Sequence, residues 1–344
     1  MNILEQSLLN NYQRGFSLSP TPFAEMAKDN DTDTATIFAN IKRLKKAGSV
    51  TRIGPVFRPN TIGVSTLAAM KVPAPQLDAI ADLVNQYSEV NHNYEREHDY
   101  NLWFVVTASN QQHLAETLLD IEDKSGIAVM SLPLVEEYHI DLGFKMPLNG
   151  ENSSSVLKKH PSSAQVVKLS TQPNDAIQQQ LIAEIQSGFP LVERPYQAIA
   201  EKVGTDEQDV IRRIDIMLTT GIIRRMGVVV RHRKLGYRAN AMVVWDIPDD
   251  QVNALGKALS KINCITLCYQ RPRHLPDWPY NLFTMIHGKD KETVYQCIEE
   301  IISENDLAHI DHSALFSTRC FKQRGACYSY SRPETHYKIA NDGR

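Results

Sequence analysis

A short stretch, His92-Asn93-Tyr94-Glu95-Arg96-Glu97-His98-Asp99-Tyr100-Asn101-Leu102-Trp103-Phe104, gathers side chains that move protons, hold metals and grip anions. Over 89–97 the spacing predicts a β-strand, so His92, Tyr94 and Arg96 share one face while Asn93, Glu95 and Glu97 share the other. A neutral imidazole ligates a transition metal or carries a proton near neutral pH. A guanidinium grips a carboxylate through two parallel hydrogen bonds, which lysine cannot copy. The combination reappears later as Tyr269, Arg271, Arg273, Trp278 and Tyr280, and His139 lies late in another strand-like run. The face bearing His92, Tyr94 and Arg96 is the one assigned to a pocket.

The elements that must position these residues are written twice. Residues 8–145 are repeated, in the same order, from about 181 to 325. Gly15-Phe16 answers to Gly188-Phe189, Gly48 to Gly221, Gly54 to Gly227 and Gly63 to Gly236, all at an offset of 173. The offset grows to 175 at Tyr94/Tyr269 and to 180 at Tyr100-Asn101-Leu102 and Tyr280-Asn281-Leu282. In each half the first sixty or so residues predict a winged helix-turn-helix: three short helices, then a small hairpin. Ile37, Ile41 and Leu44 set the apolar stripe of the third helix, as do Val210, Ile214 and Met217 in the repeat. Gly48 and Gly221 end that helix. Strand, helix, strand, strand, helix, strand follows: 64–72, 74–86, 89–97, 100–108, 111–124 and 128–139, then 237–247, 249–260, 264–271, 280–287, 289–303 and 307–320. That order is the βαββαβ of a ferredoxin-like fold.

The fold class is therefore α+β, a tandem repeat of winged helix-turn-helix and ferredoxin-like units. The boundaries fall at 1–62 and 63–148, a linker 149–175, 176–235 and 236–330, and a tail 331–344. The linker is assigned from Ser153-Ser154-Ser155 and His160-Pro161-Ser162-Ser163, composition too polar to order itself by burial. A net charge of −3 argues against a dedicated nucleic-acid binder. No run approaches the 18 or more apolar residues of a membrane span, and Met1–Ser19 has no signal-peptide core, so a cytoplasmic protein without membrane contact is expected. Five cysteines without a CxxC pair are read as reduced thiols.

A helix-turn-helix followed by βαββαβ resembles the AsnC/Lrp family, and the motifs resemble one enzymatic branch of it. Arg52-Ile53-Gly54-Pro55-Val56-Phe57, Met70-Lys71-Val72-Pro73 and 92–104 are similar to one subunit type of the sirohaem decarboxylases. Arg231-His232, Cys268–Arg273, Asp277–Phe283, Met285-Ile286-His287-Gly288 and Phe321-Lys322-Gln323-Arg324-Gly325 are similar to its partner subunit. The chain thus resembles the fused two-subunit form of haem d1 biosynthesis. That resemblance implies loss of CO2 from the C12 and C18 acetates of sirohaem, giving 12,18-didecarboxysirohaem by non-oxidative acid/base chemistry. It implies no cofactor beyond the iron of the substrate. The implied partners are sirohaem, its monodecarboxy intermediate, and either a second copy of the chain or a homologous decarboxylase subunit pair.

An eight-carboxylate iron macrocycle calls for arginines, a flat aromatic slot and an axial nitrogen. Under this resemblance His92, Tyr94, Arg96 and His98 are the catalytic candidates, with His92 also the candidate axial ligand of the iron. Tyr269, Arg271, Arg273, Tyr280, Trp278 and His139 are the substrate-binding candidates. The position matching His92 in the second half is Leu267, which places a single competent pocket on the first half. The competing reading is a ligand-sensing transcription regulator of the AsnC/Lrp type. Against it, the third helix begins Asp31-Thr32-Asp33 in one half and Thr205-Asp206-Glu207 in the other, carboxylates that phosphate would repel.

Overall fold

The computed structural model describes residues 2–140, 175–230 and 239–325. The Arg231-His232 motif, Gly236, Cys327, most of the 149–175 linker and the 331–344 tail lie outside the described residues.

The first helix-turn-helix is α1 (Ile3–Asn11), α2 (Pro22–Asp29) and α3 (Thr34–Lys46). Its repeat is α6 (Ala176–Ile185), α7 (Pro195–Val203) and α8 (Glu207–Thr219). Sequence explains their ends: Asp33 and Asp206 accept from backbone N–H groups of the first turn of α3 and α8, and Gly48 and Gly221 take positive φ just beyond. Among the described residues the small hairpin expected after each third helix is not seen. Instead β1 (Val50–Phe57) pairs antiparallel with its own repeat, β7 (Ile223–Val230), with Gly54 opposite Gly227. Both glycines are needed for close approach: a Cβ on Gly54 would lie 2.9 Å from Gly188 Cα, and one on Gly227 2.2 Å from the Tyr12 carbonyl oxygen. The two helix-turn-helix units consequently share one apolar core, from Leu8 and Phe23 to Tyr196 and Ile214.

The ferredoxin-like units follow: β2 (Val64–Met70), α4 (Leu77–Gln86), β3 (Val90–Arg96), β4 (Leu102–Ala108), α5 (Gln111–Ser125) and β5 (Met130–Pro133), with β6 (Glu136–Ile140) after it. The repeat is β8 (Ala239–Trp245), α9 (Val252–Leu259), β9 (Ile265–Gln270), β10 (Leu282–Gly288), α10 (Lys291–Glu304) and β11 (His312–Gln323). The run 128–139, expected as one strand, breaks at Leu134-Val135. Its first part stays with β2 and its second part crosses to β9 of the other unit. β11 does the reciprocal: His312–Phe316 pair with β8 and Ser317–Gln323 with β3. Each unit would otherwise leave β3 or β9 as an open edge, and the exchanged strands cover both. The sheet runs β5-β2-β4-β3-β11-β8-β10-β9-β6, and its two end strands, β5 and β6, are consecutive in the chain.

Three apolar layers result. Leu102, Phe104 and Val106 face α4 and α5, and Leu282 and Ile286 face α9 and α10. Between the two halves of the sheet, Trp103 and Leu132 meet Trp278, Phe283 and Leu315. The reading of all five cysteines as reduced thiols is corrected: Cys264 and Cys297 form a disulfide with Sγ atoms 2.22 Å apart, while Cys268 and Cys320 are free.

Candidate active site

On β3 the alternation puts a polar column on the face turned away from α4. Asn93 points the other way and donates to Ala81 O at 3.1 Å. His92 and Tyr94 rings are nearly parallel with centroids 6.1 Å apart, and the Arg96 guanidinium lies 5.7 Å from the Tyr94 ring. Burial, helped by the nearby Arg52 cation, pushes His92 down to about 4. Its imidazole is therefore neutral at pH 7, with a lone pair available to a metal. Burial also pushes buried Arg96 down to about 10.

Arg96 has a pseudo-symmetric mate. Arg96 Nη1 donates to Leu315 O at 2.9 Å, where β11 leaves its own sheet, and Arg271 Nη1 donates to Leu132 O, where β5 ends. Each arginine thus pins the last strand of the other unit at the crossing point. Arg271 also lies 4.6 Å from the Tyr269 ring centroid and 5.9 Å from that of Phe283. Tyr269 is near enough to act electrostatically on both guanidiniums, which makes His92, Tyr94, Arg96, Tyr269 and Arg271 one connected group.

The remaining candidates stand elsewhere. Trp278 is fully buried, with centroids 5.5 Å from His98, 5.7 Å from Tyr100, 5.2 Å from Trp103 and 5.0 Å from Tyr280. It closes the layer between the sheet halves. His98 Nδ1 accepts from Tyr100 N–H at 3.0 Å, which holds the β3–β4 turn, and burial lowers its pKa. Arg273 is engaged by Asp246, by Asp249 at 3.3 Å and by the Pro279 and Ile247 carbonyls, fixing the longer second hairpin. His139 lies on β6 opposite Cys268, whose thiol faces the Gly256 carbonyl of α9 at 3.5 Å.

Sequence reasoning missed a cleft of about 430 Å³ near His92, lined by its register partner Gln323 and by Arg52 but not by His92 itself. Lys45, Thr51 and Arg52 supply one wall, Gln186 and Ser187 of the second helix-turn-helix another, and Gln323, Arg324 and Gly325 the third. Gln323 sits opposite His92 in the β3–β11 register, and Arg324 N–H donates to Asn91 O at 2.9 Å. Three cations and, among the described residues, no carboxylate line it. Lys45 reads from sequence as a solvated helix end. Arg52 and Arg324 stand in motif segments, but only the fold joins the segments.

The matching place in the second module is built differently. Leu267 replaces His92, and Leu218 stands where the repeat puts Lys45. Arg225, the repeat of Arg52, donates to the Gln13 and Val228 carbonyls. Arg224, where the first module has Thr51, pairs with Glu137, which occupies the register position opposite Tyr269 that Cys320 occupies opposite Tyr94.

Comparison with known proteins decides the lineage. A family described as "AsnC-like ligand binding domain" matches residues 61–139 and 234–322, and "Siroheme decarboxylase NirDL-like HTH domain" matches 5–50 and 178–224. The siroheme decarboxylase NirDL subunit of Paracoccus denitrificans is 44% identical over 95% of this chain and 97% of its own. The chain belongs to the sirohaem decarboxylase family. A siroheme decarboxylase of Hydrogenobacter thermophilus is 29% identical over 92% of each chain. The crystal structure of siroheme decarboxylase NirDL superimposes with a TM-score of 0.69 at 26% identity, covering 95% of this chain and 94% of that one. A second NirDL structure, in complex with an iron-uroporphyrin III analogue, gives 0.67. The family match is to the fused form, with both modules in one polypeptide. Among the described residues no helix is long and apolar enough to cross a membrane, and no cluster of three or more His, Cys, Asp or Glu could hold a metal ion.

Proposed function

We propose that the protein removes CO2 from the C12 and C18 acetate side chains of sirohaem, giving 12,18-didecarboxysirohaem in haem d1 biosynthesis, and that the first module does the chemistry. The observation that carries this assignment is the pairing of a neutral, mostly buried imidazole with a neighbouring cleft bearing Lys45, Arg52 and Arg324, where the described residues of the second module place Leu267, Leu218 and a carbonyl-bound Arg225 instead of His92, Lys45 and Arg52. In each round the bond between the acetate methylene and its carboxylate breaks. Its electron pair passes into the conjugated ring as CO2 leaves, and a proton from the protein or solvent completes the methyl group. No electrons are gained or lost overall, so the reaction calls for no cofactor beyond the iron the substrate brings.

His92 suits two tasks. Its lone pair can ligate the sirohaem iron. Once a polycarboxylate enters beside it, the added negative charge favours the protonated ring and makes it a proton donor. Tyr94, stacked on His92, adds an aromatic wall and a hydroxyl. Arg96, Tyr269 and Arg271 form the cationic, aromatic border of the same face. His98, Tyr280, Trp278 and Arg273 hold the layer behind it in this conformation. The partners that follow are sirohaem and its monodecarboxy intermediate, with a second copy of the chain or a homologous subunit pair completing any larger assembly, and the cytoplasm is the compartment. The regulator alternative is set aside, since the relatives that match over the whole length carry the decarboxylase name.

Anaerobic incubation with sirohaem, followed by mass spectrometry, tests the reading: two successive losses of CO2 are expected. His92→Ala should slow them about 10²–10⁴-fold. His287→Ala, on β10 of the second module, should change the rate little. Equal rates in the two variants would remove the first-module assignment.

A further inference from the structure

Resting on the reading of the site as a sirohaem pocket, we propose that Arg52 is its inner carboxylate receptor. It would hold a side chain that the substrate keeps, with the second helix-turn-helix unit fixing its position. Arg52 makes a single hydrogen bond to a described residue, Nη2 to Pro55 O at 3.1 Å. Its Nε is buried and has no acceptor among the described residues. An unused, buried N–H on a guanidinium that lines a cationic cleft is the chemistry of a carboxylate site, because a carboxylate satisfies two parallel donors at once. The repeat differs at the outer nitrogens: Arg225, whose Nε is likewise buried, donates from Nη1 to the Gln13 carbonyl, whereas Arg52 makes no bond to the equivalent Gln186 carbonyl.

Two glycines hold Arg52 in place. Gly188, between α6 and α7 at φ +109°, backs its stem: a Cβ there would stand 2.8 Å from Arg52 Cβ and 2.9 Å from Ile53 O. Gly325, two residues past β11, lies against its tip: a Cβ there would stand 2.5 Å from Nη1. Phe189 N–H donates to Ile53 O at 2.6 Å and ties the two units together at this point. The helix-turn-helix pair thus builds part of the substrate cleft.

Which carboxylate Arg52 takes follows from the reaction. Losing CO2 discharges the leaving group, so a cation on that carboxylate would stabilise the ground state more than the transition state and slow the step. Arg52 therefore suits a carboxylate that survives, and of the propionates and the two acetates that the reaction spares, a propionate is the one assigned to it. The outer cations, Lys45 and Arg324, face the same cleft and would receive others.

The test uses two metal-free porphyrins that share four propionates: uroporphyrin III, with four acetates, and coproporphyrin III, with methyl groups in their place. Binding to the full-length protein is read by fluorescence. Arg52→Gln should weaken both about 10- to 100-fold. Arg52→Lys should recover only part of the loss, and kcat for sirohaem should fall less than kcat/KM. Gly325→Ala, which displaces the guanidinium without removing it, should weaken both porphyrins at an unchanged melting temperature. Affinities within twofold of wild type in Arg52→Gln would overturn the proposal, as would a loss confined to uroporphyrin, which would place an acetate on Arg52. Wild-type protein that binds neither porphyrin and leaves sirohaem intact would instead defeat the decarboxylase reading itself.

Discussion

The two modules share their scaffold down to hydrogen bonds and differ where a substrate would sit. Arg96 and Arg271 donate to Leu315 and Leu132 in matching positions, and Tyr94 and Tyr269 lie beside them in both units. Yet the first module opens a cleft near an imidazole, and among the described residues the second carries at the matching positions Leu267, an Arg224–Glu137 ion pair and an arginine bound to main-chain carbonyls. On the proposed reading, duplication separates two jobs that a single copy would have to combine. What both copies keep is architecture; what only one keeps is a candidate for chemistry. By that criterion Arg96 and Arg271 belong first to the architecture, and His92 and the cleft cations are the candidates for the reaction.

Exchanging the residues that differ gives the largest expected effect. His92→Leu makes the first module resemble the second and should cost about 10²–10⁴-fold in kcat for sirohaem. The reciprocal Leu267→His should add no second site, because the Arg224–Glu137 pair and the tied Arg225 remain. Assaying the double variant sharpens the comparison: activity returning in His92→Leu/Leu267→His would show that the second module is closed only by its missing imidazole.

Residues that match should behave alike. Arg96→Met and Arg271→Met each leave a strand-crossing carbonyl without its donor, at a cost of about 1–3 kcal/mol in urea unfolding. Similar stability losses are expected, but only Arg96→Met, in the column with His92 and Tyr94, should also lower turnover substantially. Equal losses of turnover would move Arg271 from scaffold to substrate contact.

Much of this organisation is legible in the sequence, because repetition and period-two alternation are local properties. His92, Tyr94 and Arg96 share a face, and Leu267 stands in the place of His92, as spacing alone indicates. What is not legible is pairing. Residues 312–323 read as a strand whichever sheet they join, and nothing local says that Ser317–Gln323 will cross to β3. The same holds for Val50–Phe57, whose partner is its repeat and not a neighbouring hairpin strand. The cleft depends on both events, since it brings together Arg52, Gln186 and Gln323 from three distant segments. Trp278 shows the converse limit. Its aromatic character suggests a wall for a flat ligand, but full burial against Trp103 and Tyr100 makes it a packing element in this conformation.

A further effect is expected on stability in acid. Burial and Arg52 hold His92 at about 4 in the folded, substrate-free protein, against an ordinary value of 6.5. Between those limits the unfolded chain takes up a proton that the folded chain refuses. The contribution of a neutral His92 is therefore complete above about pH 6.5 and is lost as the pH falls towards 4, with a slope of at most about 1.4 kcal/mol per pH unit. Leucine at this position cannot titrate, so His92→Leu should lose stability less steeply than wild type over that window in urea melts. Arg52→Gln should act in the same direction but less strongly, because it removes the neighbouring cation and leaves the burial. Parallel pH profiles for all three proteins would mean that His92 is open to water, and the contrast with the second module would then rest on the cleft cations alone.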